Sequence, residues 1–171
     1  MNKQLEEQFL EAFDRNKNRI YKICFSYTDS YEDAKDLFQE VLMNIWRSMH
    51  QFRGESAIDT WIFRVTINVC LRIKTKQDRD KNVITRLNSI DIENFREHIE
   101  SSPDNEQIAV LYNCIKQLND TDKSIILLYL EDIAYREISD ITGLSENNIA
   151  VKIKRIKNRL LTCLNAEGYE K

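Results

Sequence analysis

Between Ala150 and Leu160 the chain sets five lysines and arginines, Lys152, Lys154, Arg155, Lys157 and Arg159, with no acid among them. Cations gathered in this way can neutralise a row of phosphates and release the counterions those phosphates hold. Just before them stand Ser145, Glu146, Asn147 and Asn148, near the end of the segment where polar side chains can meet base edges. A second group with binding chemistry is Asp36, Gln39, Glu40 and Asn44. Acids and amides on one side of a helix can pair with a basic protein groove and fix its orientation. The acid-rich region Asp29, Glu32, Asp33, Asp36 and Glu40 raises the question of a metal-dependent nuclease. Its helical placement gives no convergent set with a histidine or a nucleophile, so catalysis is the weaker reading.

The whole-chain balance does not announce a polyanion binder, because 25 basic residues face 28 acidic ones and the formal charge is -3. Distribution, rather than total charge, carries the signal. Glycine is scarce at 3 residues and proline scarcer at 1, which fits long helices better than a barrel or sandwich needing many turns. The fold class expected is all-α. A chain of 171 residues, 42% of them hydrophobic, can bury one moderate core or two small ones. Cys24, Cys70, Cys114 and Cys163 stand far apart, with only His50 and His98 as possible companions. That spacing supports neither a zinc site nor a disulfide scaffold, and four reduced, mostly buried thiols are expected. The charged, periodic start "MNKQLEEQFLEAF" and the lack of a long apolar run predict a soluble, cytoplasmic protein without membrane insertion.

The elements that must position these groups are legible as periodicities. Phe9, Phe13, Ile20, Ile23 and Tyr27 recur at roughly helical spacing, and Thr28, Asp29 and Ser30 can cap a second helix. On that helix Ala34, Leu37, Val41, Ile45 and Met49 share a packing face, which leaves Asp36, Gln39, Glu40 and Asn44 elsewhere on its circumference. "RGES" interrupts the pattern at Gly54, and Ser56 is a suitable cap for a third helix carrying Ile58, Trp61, Ile62, Val65, Val69 and Ile73. The segment "DIENFREHIESSPDNE", with six acids and the only proline, predicts a linker or a loosely docked helix. The expected organisation is a helical domain over residues 1–80, a linker over 81–105 and a second helical domain over 106–171.

In the second domain Leu111, Cys114, Ile115 and Leu118 precede a polar break, which Asp120 or Thr121 could cap, and an amphipathic segment from Ser124 to Leu130. Tyr135 to Thr142 then form a short helix burying Ile138 and Ile141, Gly143 permits a turn, and Leu144 tucks into the junction. Ser145 caps a longer helix whose inner seam is Ile149, Ile153, Ile156 and Leu160. This is the pattern of a helix-turn-helix whose second helix enters the major groove.

The joined pattern resembles the extracytoplasmic-function (ECF) group of bacterial sigma factors, the RNA polymerase subunits that direct promoter recognition. "DLFQEVLMNIW", Asp36 to Trp46, is similar to the family's polymerase-clamp-binding helix, and "FRGESAIDTWIFRVTINVCLRIKTK", Phe52 to Lys76, to its promoter-melting loop and minus-ten-reading helix. Tyr135 to Leu160 resembles the domain that reads the minus-thirty-five region. The resemblance implies core-polymerase contacts by Asp36, Gln39, Glu40 and Asn44. It implies capture of an unstacked base by the loop Phe52, Arg53, Gly54, Glu55 and Ser56, and minus-ten contacts by Asn68, Arg72, Lys74 and Lys76. Minus-thirty-five contacts fall to Ser145, Glu146, Asn147, Asn148, Lys152, Arg155, Lys157 and Arg159. Trp61 reads as core, Phe52 suits core or base stacking alike, and Arg53 and Arg64 suit phosphate or intradomain pairing.

The implied partners are core RNA polymerase, promoter DNA as duplex and as non-template strand, and an anti-sigma protein. No cofactor is called for, and the free chain is expected to be a noncatalytic monomer. The sequence departs from the family pattern at "LNDTDKS", which lacks a common proline, and at "IKTKQDRD", which is poorer in arginine. A standalone helix-turn-helix regulator and a protein-binding helical adaptor are the rival readings.

Overall fold

The computed structural model describes residues 3–77 and 105–168. Among them every regular element is helical: α1 (Lys3–Ser26), α2 (Tyr31–Ser48), a single 3-10 turn (Met49–Gln51), α3 (Ile58–Gln77), α4 (Asn105–Lys116), α5 (Asp120–Leu130), α6 (Tyr135–Thr142) and α7 (Glu146–Ala166). The chain divides into two compact helical units, one built on α1 to α3 and the other on α4 to α7. The segment anticipated as a linker lies outside the described residues. No described helix is long and apolar enough to cross a membrane.

In the first unit three helices pack pairwise against one another. Ser30 caps α2 as the sequence predicts, its hydroxyl accepting the backbone N–H of Asp33 at 3.1 Å. Ala34, Leu37, Val41, Ile45 and Met49 are all buried. Helix α3 differs from expectation in two ways. It begins at Ile58, with the Trp61 N–H on the Ala57 carbonyl, so Ala57 rather than Ser56 occupies the cap position. Its deepest residues are Thr60, Ile62, Phe63, Thr66, Ile67, Val69 and Cys70, whereas Ile58, Trp61, Val65 and Ile73 are half-buried. A helix packed against two neighbours buries adjacent positions, and a single 3.6-residue stripe no longer describes it.

A polar joint fastens α1 to the start of α3. Asn16, buried at 1% exposure, donates through its amide to the Ala12 carbonyl and to Asp59, while Arg15 pairs with Asp59 at 3.1 Å. Arg19 donates to Asn16 Oδ1 at 2.9 Å and lies over the Phe63 ring, 4.7 Å from its centre. The buried amide is thus satisfied on both sides, which removes the usual cost of burying it.

In the second unit α5 is capped by Asn119, whose side chain accepts the Asp122 N–H at 2.9 Å. The cap precedes both Asp120 and Thr121, and the helix starts four residues before Ser124 because Asp120 to Lys123 continue its turn. Gly143 closes α6 at φ 76, in the left-handed region that a side-chain-bearing residue adopts only with strain.

The cysteines require a correction. Cys114 on α4 and Cys163 on α7 form a disulfide across 49 residues, with Cα atoms 6.0 Å apart, so only Cys24 and Cys70 are free. Packing of α4 on α7 creates this proximity, and spacing along the chain carries no trace of it. Cys24 is fully buried; burial, followed by a hydrogen bond to Cys70, pushes its thiol well above the ordinary range. Under non-reducing conditions alkylation should therefore label Cys24 and Cys70 only on denaturation, and Cys114 and Cys163 only after reduction. Cys163→Ser should lower the stability of the second unit by about 2–4 kcal/mol, read as a shift in urea midpoint that dithiothreitol abolishes in the unsubstituted chain.

Candidate polymerase and promoter interfaces

Helix α2 turns its buried face to α1 and α3 and leaves Asp36 exposed, with Gln39, Glu40 and Asn44 half-buried beside it. The four do not share one environment. Asn44 donates to Glu40 Oε1 at 2.9 Å, and Arg72 from α3 donates to Asn44 Oδ1 at 3.0 Å while standing 3.6 Å from Glu40 Oε1. Arg72, expected at DNA, thus meets two residues expected at polymerase. Among the described residues no three acids, histidines or cysteines are placed to hold a metal ion.

The loop after α2 is shaped by Gly54, whose φ of 71 favours glycine although a Cβ there would meet no atom within 4 Å. Arg53, Gly54 and Glu55 are exposed and Ser56 is half-buried. Phe52 packs edge-on against Phe9 and Trp61, each ring centre 5.8 Å away, and Trp61 lies 5.4 Å from Phe9. Phe52 is half-buried, with part of its ring committed to packing against two aromatic neighbours. On α3 Asn68 is exposed and Lys74 half-buried, while the Lys76 side chain lies outside the described residues.

On α7 the seam Ile149, Ile153, Ile156 and Leu160 is buried as anticipated. Ser145 caps the helix by accepting the Asn148 N–H at 3.3 Å, and Ser145, Glu146, Asn147 and Asn148 are all exposed. The cations separate into two sets. Lys152 and Arg159 both donate to Asp122 on α5, at 3.1 and 3.4 Å. Lys157 donates to the Tyr129 hydroxyl at 2.6 Å, with its ammonium 4.3 Å from that ring's centre.

Lys157 and Arg159 are also exposed, but Lys154 and Arg155 are exposed without a side-chain partner among the described residues. With about 100° of turn per residue, Lys154 and Arg155 point about 130° away from the seam, whereas Lys152, Lys157 and Arg159 lie only about 70–90° from it. Sequence reasoning counts Lys154 among the basic residues but leaves it out of the minus-thirty-five set that includes Lys152, because the partner that engages Lys152 sits 30 residues earlier. It also missed Val151 and Asn158, which stand exposed on the same outward side.

Known proteins agree with this two-unit arrangement. Residues 12–80 match the family Sigma-70 region 2, and residues 108–160 match Sigma-70, region 4. RNA polymerase sigma factor SigV of Bacillus subtilis (strain 168) is 24% identical over 82% of this chain and 81% of its own length. ECF RNA polymerase sigma factor SigM of the same organism is 26% identical over 91% of this chain and 94% of its own length. The fold is that of the sigma factor RpoE from Bartonella quintana, solved in complex with the anti-sigma factor NepR, with a TM-score of 0.68 at 20% identity over 95% of this chain and 98% of that one. One sigma-70 region on each helical unit, and sigma-factor relatives aligned over most of this chain and of their own length, place the chain in the extracytoplasmic-function group of RNA polymerase sigma factors.

Proposed function

We propose that this sigma factor binds core RNA polymerase through the outward side of α2, opens promoter DNA with the Phe52 to Ser56 loop and α3, and anchors the upstream duplex with α7. The observation that carries the assignment of surfaces is the division of the α7 cations. The seam and Asp122 hold one side of the helix against the unit, and the side left outward bears Asn147, Lys154 and Arg155. Such a face supplies phosphate attraction and base-edge hydrogen bonding together. With region 2 matched over residues 12–80, the standalone-regulator reading has no support.

The action is noncatalytic. Polymerase adds nucleotides, while this chain chooses the start region and holds the displaced strand, using no cofactor. Two modest DNA surfaces carried by one large partner reinforce each other through effective concentration. The free chain is taken to be a cytoplasmic monomer. An anti-sigma protein that covers these surfaces is a further partner, in keeping with the complex in which the similar RpoE was solved.

Within the polymerase face, Asp36 and Gln39 are the primary contacts, and Glu40 and Asn44 act through their junction with Arg72. Asp36→Lys combined with Gln39→Ala should weaken core-polymerase binding at least about tenfold, as expected when a charge is reversed in a complementary interface. Binding titrations with labelled protein check this, and an unchanged Kd would remove α2 from the interface. For DNA, Lys154→Ala and Arg155→Ala should each reduce the slope of log K against log salt for holoenzyme by about one. Lys152→Ala and Arg159→Ala should leave that slope nearly unchanged, and equal slopes in all four variants would refute the division.

A further inference from the structure

Val151 is an exposed apolar side chain that the core does not explain. It is 45% exposed in the second turn of a 21-residue helix, and its β-branch makes it a weaker helix former than the Lys, Glu or Ala that an indifferent solvated position favours. Its direction is specific. At about 100° per residue, Val151 and Asn158 point about 170° from the mean direction of the buried seam, more directly outward than any of the helix's cations. Asn147 precedes it by one turn and Arg155 follows by one turn, so a polar residue flanks it on each side along the outward face.

In a major groove the one apolar feature among the base edges is the thymine C5-methyl group. An isopropyl side chain near the start of a groove-facing helix has nothing there to accept or donate, and it excludes water from whatever it touches. Facing a guanine or adenine edge it would strip water from hydrogen-bonding atoms without replacing it. Against a thymine methyl it buries apolar surface on both sides. Asn147 and Arg155, one turn to either side, can meanwhile satisfy adenine or guanine edges.

We infer that Val151 is a specificity-determining residue of α7 that selects thymine at one position of the upstream promoter element by packing its isopropyl group on the C5-methyl. The inference rests on the proposed role of α7 as the upstream reader. It concerns base choice at one position rather than overall DNA affinity, which the phosphate contacts supply.

The test uses holoenzyme assembled from core polymerase and the full chain. An upstream element is first selected from duplexes randomised in that region, and each thymine in it is then replaced singly by deoxyuridine, which lacks only the methyl. At one position the replacement should weaken binding about fourfold, the worth of one buried methyl-sized group. The Val151→Ala variant should bind thymine and deoxyuridine at that position equally while retaining sensitivity to all other base changes. Alanine at an exposed helical position favours folding, and an unchanged circular dichroism melt confirms that the variant is intact. If no thymine is methyl-sensitive in the unsubstituted protein, or if the sensitivity persists undiminished in Val151→Ala, the inference is overturned while α7 remains the reader. If holoenzyme selects no upstream element at all, the reading of α7 falls and this assignment falls with it.

Discussion

A single carboxylate helps set which way α7 is turned within the second unit. Asp122, 8% exposed at the start of α5, accepts from Lys152 and Arg159 on α7 and from the Asn119 side chain that caps its own helix. Burying that charge would be costly without partners, and two cations about two turns apart along α7 supply them. The pairing fixes more than distance. Together with the seam of Ile149, Ile153, Ile156 and Leu160, whose burial contributes about 1.5–3 kcal/mol per side chain, it fixes the rotation of α7 about its axis. Everything proposed for this helix follows from that rotation: which cations are spent inside the unit, which face outward, and where Val151 points.

The first unit has its own polar junction, and it joins two surfaces that sequence reasoning treats separately. Arg72 on α3 reaches Glu40 and Asn44 on α2. The acidic-amide face assigned to polymerase and the helix assigned to promoter DNA are therefore held in one register. The pairing is partly exposed, so solvent screening limits its contribution to stability. Its value is geometric: a guanidinium with several donors in a fixed plane orients the carboxylate and amide it meets. The neighbouring aromatic trio of Phe9, Phe52 and Trp61 does the same for the loop, anchoring its first residue while leaving Arg53 to Glu55 exposed.

Helix existence, the all-α class and the helix-turn-helix were legible because each depends on local signals. Ser30, Gly143 and Ser145 act within a few residues of themselves, and the α2 and α7 seams each face one side. Side-chain partners were not legible, since Asp122 and Lys152, or Glu40 and Arg72, come together only through packing. The same is true of Cys114 and Cys163, whose bridge joins helices at opposite ends of the second unit's chain order. The face of α3 was misread for a related reason: contact with both α1 and α2 buries Phe63, Ile67 and Cys70 beside Ile62 and Val69, and two overlapping stripes hide the period of either.

The central claim is that opening and upstream anchoring belong to one noncatalytic subunit acting on polymerase. The most direct measurement is reactivity of unpaired thymines toward permanganate on a panel of promoter duplexes, with core polymerase, with this chain, and with both, alongside the RNA initiated. The account predicts reactive thymines and initiated RNA only when both proteins are present. Specific duplex binding by the isolated chain, with no opening in the presence of core polymerase on any duplex of a broad panel, would contradict it.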